Sequence, residues 1–228
     1  MILLTQPSKE HLDEVLDWLN LENATFKSNS NIISRSFDNQ TLLVGQQDGK
    51  IIAYLAYQNF SCMVNFDIFE VHPDCTKNGF GKTFFKLIED HFTANNYKVI
   101  SLFCAPRDSE NFWNKMNFIK FPGISDDSPP EYYKPLIDVL ASSVTAGNNK
   151  LELWDSFASF RGNSEPNLIW DITNNQKPIL IPIGNDYHLK LTIKGEEKSC
   201  ERMKWFFNKN IVECGRFIII EDLCKSLL

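Results

Sequence analysis

The 228-residue sequence lacks any apolar run that approaches the length of a membrane-spanning helix. Its first residues also lack the basic start and apolar stretch of a secretory signal. It has no basic excess, because 23 Lys and Arg stand against 29 Asp and Glu and leave a net charge of −6. Both halves are acidic: residues 1–122 carry 11 basic and 14 acidic side chains, and 123–228 carry 12 and 15. We therefore expect a cytoplasmic protein that binds neither membrane nor nucleic acid.

Patterns typical of metal sites and disulfide frameworks are also missing. The six cysteines and four histidines contain no C-x-x-C pair, and only His72 lies near a cysteine along the chain. Several cysteines lie in apolar runs instead. We therefore expect no metal ion, and thiols that are reduced and buried.

The hydrophobic pattern predicts alternating strands and helices in the first 137 residues. With 43% hydrophobic residues, including 18 Phe, the chain can fill packed cores. Apolar runs predict strands at 2–4, 42–45, 51–57, 64–71, 99–105 and 132–136, and Asp48-Gly49 predicts a hairpin turn. Helical spacing predicts helices at 8–19, 82–94 and 108–116, with a further helical turn near Ile32. Three sequential strands followed by a helical crossover imply a mixed sheet with helices on both faces.

The character of the sequence changes near residue 150. Short apolar runs separated by Asn, Gly and Pro predict strands at 151–154, 168–172, 178–183, 187–193 and 217–220, and a helix at 199–208. We therefore predict a first domain at 1–137, a linker or helix at 138–149, and a small α+β domain at 150–228.

A glycine turn is the most informative local feature. An apolar run ends at Val71-His72-Pro73, and Asn78-Gly79-Phe80-Gly81-Lys82 follows just before an amphipathic run. Backbone N–H groups at such a helix start bind phosphate, and Lys82 adds a positive charge. We therefore predict an anion site there.

Four features together resemble the GCN5-related N-acetyltransferase (GNAT) superfamily. They are the order of elements, the Val71-x-Pro73 strand end, the Thr76-to-Gly81 segment in the place of Gln/Arg-x-x-Gly-x-Gly/Ala, and the segment Asn111-Phe112-Trp113-Asn114-Lys115-Met116-Asn117-Phe118 in the place of A-x-x-F-Y-x-x-x-G-F. The resemblance covers residues 1–137. It implies a mixed, mostly antiparallel central sheet with helices on both faces, and acetyl-CoA as cosubstrate.

The resemblance also implies how acetyl-CoA is held. The pyrophosphate lies on the glycine turn, and the pantetheine arm pairs with the fourth strand where it parts from the fifth at a bulge. The Val71 N–H then polarises the thioester carbonyl. The cofactor-binding residues implied are Phe69, Val71, Thr76, Lys77, Asn78, Gly79, Phe80, Gly81, Lys82 and Trp113.

Acetyl transfer to a primary amine by direct attack in a ternary complex needs a group that removes a proton. Asp67, a carboxylate in an apolar run, is the first candidate, and Glu70 is the second. The family's acid is a Tyr, but Trp113 occupies its position and an indole N–H cannot donate a proton. Tyr132 or Tyr133 could replace it, or the thiolate could leave unaided because thiol pKa values lie near ~8.5.

Other functions stay open at this point. Trp113 motivates a non-catalytic acyl-CoA sensor or scaffold. A more remote alternative is a P-loop nucleotide hydrolase, from Gly81-Lys82-Thr83 and the acid-terminated strand 217–220. The acceptor is a small-molecule or peptide amine that the sequence does not name. We expect residues 150–228 to shape acceptor choice, or else to bind a partner or a second copy in a homodimer.

Overall fold

The computed structural model describes residues 2–19, 29–76, 78–122, 129–173, 177–183, 186–202 and 212–221. The chain divides into two compact units. The first comprises Met1–Phe118 and Tyr132–Leu136, and the second comprises Ile119–Glu131 and Ile137–Leu228. Residues 119–131, which we predicted in the first domain, are therefore part of the second unit.

The first unit is a central sheet with helices. Its strands are β1 (Leu3–Thr5), β2 (Leu42–Gln47), β3 (Lys50–Phe60), β4 (Met63–Val71) and β5 (Val99–Phe103), and its helices are α1 (Lys9–Trp18), α2 (Ser30–Asp38), α3 (Phe80–Ala94) and α4 (Glu110–Lys115). After the short β6 (Ile119–Lys120), β7 (Glu131–Pro135) returns to this sheet, whose order in the first unit is β1-β2-β3-β4-β5-β7. Strands β1 to β4 pair antiparallel, whereas β4 and β5 are parallel. The predicted mixed, mostly antiparallel sheet is confirmed.

Alternation along β3 shows that helices cover both faces of this sheet. Leu55 and Tyr57 pack in one apolar cluster with α3 residues such as Phe85, while Tyr54 and Ala56 pack in another that contains α1 residues such as Val15. Successive strand residues point to opposite faces. The sheet therefore has an α3/α4 face and an α1/α2 face.

Local sequence explains the helices that frame the sheet. Ser8 caps α1 by accepting the N–H of His11, and Leu12, Val15 and Trp18 form its buried stripe. The predicted turn near Ile32 is a full helix, α2. The predicted helix at 108–116 starts with a 3-10 turn and is regular only over α4.

The second unit is built mainly of strands. They are β8 (Lys150–Trp154), β9 (Leu168–Asp171), β10 (Ile179–Pro182), β11 (His188–Ile193), β12 (Glu196–Arg202), β13 (Val212–Cys214) and β14 (Phe217–Ile220), with one short helix, α5 (Phe157–Arg161). They form a four-stranded sheet of order β12-β11-β8-β9 and a three-stranded sheet of order β10-β14-β13. A shared apolar cluster includes Leu151, Trp170, Ile181, Leu189 and Ile218.

One prediction for this unit is wrong, and one of two alternatives for 138–149 is decided. Residues 199–202 belong to β12 rather than to a helix, because the turn at Lys194-Gly195 folds β12 back along β11 and pairs Ser199 with Leu191. Residues 203–208 of that predicted helix lie outside the described residues. The segment 138–149 forms no helix, and Ser143 there bridges to Ile169.

Two of the cysteines differ from expectation. Cys62 and Cys214 are disulfide-bonded, whereas Cys75, Cys104 and Cys200 are free thiols. In the described part of the chain, no helix combines the length and apolarity needed to cross a membrane.

Close packing of β2 against α3 gives a stability prediction. A Cβ at Gly45 would lie 2.7 Å from Cδ2 of Phe84 and 3.3 Å from Cγ2 of Ile2. Gly45→Ala should therefore lower the free energy of unfolding by about 1–3 kcal/mol, measured by urea denaturation. The same change at Gly147, where a Cβ would meet nothing closer than 3.8 Å, should shift it by less than about 0.5 kcal/mol. Equal effects of the two substitutions would contradict this packing.

Candidate functional site

Strands β4 and β5 run together and then part. Their parallel pairing extends from Met63 opposite Val99 to Phe66 opposite Leu102 and goes no further. On its other side, β4 has one extra residue: Ala56 faces Ile68 and Tyr57 faces Phe66, so Asp67 is a bulge. A bulge bends its strand. Residues 67–71 consequently keep β3 on one side and have no strand partner among the described residues on the other, and we call this second side the open edge of β4.

Two residues direct their backbone groups to the open edge. The His72 N–H donates to the Ile52 carbonyl of β3 at 2.8 Å. Because antiparallel residues alternate in the side to which their N–H and C=O point, Phe69 and Val71 direct theirs away from β3. The open edge therefore offers two N–H donors and two carbonyl acceptors to an extended ligand.

The start of α3 offers further donors. Gly79 is the N-cap with φ of 80°, a left-handed conformation that favours glycine, and no side chain caps this end. The first helical bond runs from the Thr83 N–H to the Gly79 carbonyl at 3.1 Å. The N–H groups of Phe80, Gly81 and Lys82 therefore have no acceptor within the helix, which is the arrangement that binds anions.

A single cavity of about 730 Å³ in the first unit joins the open edge to the start of α3. Nine of the twelve predicted site residues line it: Asp67, Phe69, Glu70, Val71, Thr76, Gly79, Gly81, Lys82 and Trp113. Asn78 and Phe80 do not line it. Lys77 lies outside the described residues.

The cavity wall includes side chains from both faces of the sheet. Phe69 and Val71 pack with the cluster on the α3/α4 face, whereas Ile68 packs with the cluster on the α1/α2 face. Glu70 points to the α1/α2 face, because it accepts a hydrogen bond from Tyr54 of that cluster. Two molecules could thus approach the parted strands from opposite faces.

Asp67 is held by neutral amides. Gln58 Nε2 donates to both of its carboxylate oxygens, at 2.9 and 2.7 Å, and Asn65 Nδ2 donates to Oδ1 at 3.2 Å. Asn65 is itself oriented by Ser101, whose buried hydroxyl donates to Asn65 Oδ1 at 3.0 Å. These bonds fix the direction of the Asp67 carboxylate without neutralising its charge.

Glu70 is held by a buried phenol. Tyr54 is fully buried and donates to Glu70 Oε2 at 2.7 Å, while its ring contacts Trp18 with centroids 5.5 Å apart. Burial raises the pKa of Tyr54 far above its ordinary value, and the adjacent Glu70 carboxylate raises it further. Tyr54 is therefore a permanent donor, and it leaves the second oxygen of Glu70 available.

The two tyrosines considered as replacements for an acid at position 113 do not line the cavity. Trp113 is buried among aromatic rings, with Phe69 at 5.3 Å and Phe112 at 4.9 Å between centroids. Tyr132 and Tyr133 are buried and are not part of the cavity wall. Tyr132 donates to Glu110, and burial raises its pKa. Neither is placed to protonate a leaving group in this cavity.

The sequence analysis missed the residues that orient the two acids and the exposed aromatic residue of the cavity. Gln58, Asn65 and Tyr54 orient the acids, and Phe103 lines the cavity at the end of β5. Antiparallel pairing of the predicted strands at 51–57 and 64–71 would have placed Tyr54 opposite Glu70 only if the bulge at Asp67 had been located. Among the described residues, no three His, Cys, Asp or Glu side chains are grouped to hold a metal ion.

Comparisons with known proteins give a family match and a set of structural neighbours. Residues 12–118 match the model of the acetyltransferase (GNAT) family. A GNAT-family acetyltransferase structure from Desulfovibrio desulfuricans has a TM-score of 0.53 at 8% identity, and the match covers 60% of this chain and 100% of that one. The ribosomal-protein-S18-alanine N-acetyltransferase from Escherichia coli has a TM-score of 0.49 at 14% identity, over 60% and 94% of the two chains. PaiA N-acetyltransferase from Thermoplasma acidophilum, solved with coenzyme A, has a TM-score of 0.45 at 16% identity, over 59% and 99%. No curated protein matches the chain by sequence.

The first unit thus has an acetyltransferase fold. Its residues 12–118 match a GNAT acetyltransferase domain, as the glycine turn and its flanking motifs predicted. The match ends at Phe118 and leaves 119–228 outside it.

The P-loop alternative is wrong. It requires the strand at 217–220 to place an acid beside Gly81-Lys82-Thr83. That strand, β14, belongs to a separate antiparallel sheet with β10 and β13, and not to the sheet of β4.

The hydrogen bond of Tyr54 gives a testable prediction. Tyr54→Phe should lower the free energy of unfolding by about 1–3 kcal/mol, because it removes a buried donor to a charged group. Urea denaturation measures this difference. Tyr57→Phe, in the same strand and also buried, is the matched control, since the Tyr57 hydroxyl has no hydrogen-bond partner among the described residues. A loss for Tyr57→Phe as large as that for Tyr54→Phe would contradict the assignment.

Proposed function

We propose that the first unit binds acetyl-CoA in this cavity and transfers the acetyl group to a primary amine by direct attack in a ternary complex. One observation carries the proposal: the open edge of β4 and the uncapped start of α3 meet in one cavity. A ligand that joins a pyrophosphate to an extended arm with amide groups needs both features in succession: the start of α3 for the pyrophosphate and the open edge for the arm.

The residues present fit the two parts of acetyl-CoA. The free N–H groups of Phe80, Gly81 and Lys82 and the Lys82 ammonium would hold the pyrophosphate. The open edge at Phe69 and Val71 would pair with the amides of the pantetheine arm as an added strand does. Thr76 contributes no side-chain donor, because its hydroxyl donates to the Pro73 carbonyl at 2.9 Å.

The direction in which the pantetheine arm runs would determine where the thioester carbon lies. From the start of α3 the arm would pass Val71 first and then Phe69, moving about 3.3 Å per residue toward the bulge. The Phe69 N–H is therefore the donor nearest to the thioester carbonyl, in place of the Val71 N–H that the resemblance implied, and the charge that develops on the carbonyl oxygen would be stabilised there. The thioester would lie nearer Asp67 than Glu70.

Asp67 is our candidate for the general base. As the amine nitrogen forms a bond to the thioester carbonyl carbon, the proton on that nitrogen becomes acidic. The proton then passes to Asp67, directly or through one water. The C–S bond then breaks and the thiolate leaves. Because thiol pKa values lie near ~8.5, the thiolate can leave without a protein acid, which accommodates Trp113.

The first test is turnover. Full-length protein with acetyl-CoA and a panel of primary amines should release free CoA thiol only when amine is present. Asp67→Asn should lower kcat by about a hundredfold or more, because it removes the base while retaining similar size. CoA binding without amine-dependent thiol release would contradict the proposal and support the non-catalytic sensor.

The second test reports binding alone. Cys75 is a free, half-buried thiol in the cavity wall beside Thr76. Saturating acetyl-CoA, whose sulfur is acylated and does not consume the reagent, should protect Cys75 from alkylation at least tenfold, as followed by peptide mass spectrometry. Cys200, another half-buried free thiol outside the cavity, is the internal control and should react at an unchanged rate. Protection should persist in Asp67→Asn, and its absence in the wild type would contradict this placement of CoA.

A further inference from the structure

The two acids of the cavity carry charges that no described Lys or Arg neutralises. The buried acids Glu131 and Glu152, by contrast, are ion-paired with Arg216 and Lys150. Asp67 and Glu70 have no Lys or Arg partner among the described residues, and their hydrogen-bond donors are neutral. Each thus presents an uncompensated negative charge to the cavity.

These charges are separate and fixed. Asp67 and Glu70 are three residues apart in β4, which places their Cα atoms about 10 Å apart along the strand. Tyr54 holds one oxygen of Glu70, so the other can meet a ligand without reorganisation. A carboxylate that is already oriented binds a cation at a lower entropic cost.

An exposed aromatic residue completes this side of the cavity. Ser101 bonds to Asn65, and residues two apart in a strand share a face, so Phe103 points to the same side as Asn65 and Asp67. The Phe103 side chain is 53% exposed and lines the cavity. An aromatic ring beside carboxylates favours an alkylammonium, through its methylenes and through its cation.

Positive charge in the cavity wall comes from other elements. Lys82 lies in the first turn of α3, and Lys115 lies in the last turn of α4. The described part of the wall on the α1/α2 face contributes Asn29, Asp67, Ile68, Glu70 and Phe103, with no cationic side chain. The charge pattern therefore separates an anionic ligand at the α3 end from a cationic ligand at β4.

We propose that the acceptor is an alkyl diamine or polyamine: a primary amine that reacts beside Asp67 and carries a second ammonium group bound by Glu70. This inference rests on the proposed function and assigns Glu70 to acceptor specificity, whereas Asp67 removes the proton. It follows that Glu70 acts on acceptor binding and leaves the chemical step nearly unchanged.

The experiment compares amines that differ in one charge. Initial rates are measured for wild type and Glu70→Gln with 1,4-diaminobutane and with butylamine, which has the same carbon chain. Wild type should prefer the diamine by about ten- to hundredfold in kcat/KM, the size expected of one charged hydrogen bond. Glu70→Gln should lose this preference mainly through a rise in the KM of the diamine. A fall in kcat of the same size for both amines would overturn the inference, because Glu70 would then act in proton removal.

The control removes a nearby charge outside the cavity. Asp74 has 91% of its side chain exposed and does not line the cavity, so Asp74→Asn should retain the preference for the diamine. Equal loss in Asp74→Asn would overturn the inference, because it would reveal a general electrostatic effect instead of a specific contact.

Failure of this inference is distinguishable from failure of the proposed function. If wild type acetylates both amines equally well, the acceptor class is wrong and the acetyltransferase stands. If neither amine nor any other amine is acetylated, the proposed function fails. The inference is then judged by calorimetric titration of the CoA-loaded protein, where 1,4-diaminobutane should bind at least tenfold tighter than butylamine in wild type and equally in Glu70→Gln. Equal binding to wild type would overturn it.

Discussion

The parting of β4 and β5 leaves backbone groups of Phe69 and Val71 without strand partners inside a sheet. The extra residue at Asp67 is the local cause of this parting, because a bulge bends β4 and ends its hydrogen-bonded pairing with β5. Backbone N–H and C=O groups are costly to leave unpaired away from water. The cavity keeps them accessible, so an extended ligand can complete the ladder. The start of α3 then supplies unpaired N–H groups at the adjoining end of the same cavity.

The chemistry depends on keeping two kinds of charge apart. Unpaired N–H groups and Lys82 make the start of α3 a site for anions. Neutral donors orient Asp67 and Glu70 without cancelling their charge, which suits the other side of the cavity to a cation. The parted strands open between the two faces of the sheet. An anionic cosubstrate and a cationic acceptor could therefore meet there without competing for the same groups.

Sequence reasoning succeeded where one local constraint determined the structure. The turn at Gly79 needs a positive φ and precedes an amphipathic helix, so both were predictable. It failed where residues far apart in the sequence determine the structure. Pairing with β11 overrides helical preference in 199–202. The pairing of Glu131 with Arg216, 85 residues later in the chain, helps assign 119–131 to the second unit. The contact between Tyr54 and Glu70 depends on a bulge, and a one-residue shift reverses which face a side chain occupies.

Amide hydrogen exchange at single-residue resolution tests the open edge most directly, with and without saturating CoA. The account predicts that CoA slows exchange of the Phe69 and Val71 amides at least tenfold. The His72 amide, already bonded to Ile52 of β3, should change little. Unchanged exchange at Phe69 and Val71 in a protein shown to bind CoA would contradict the account, because the arm would then lie elsewhere.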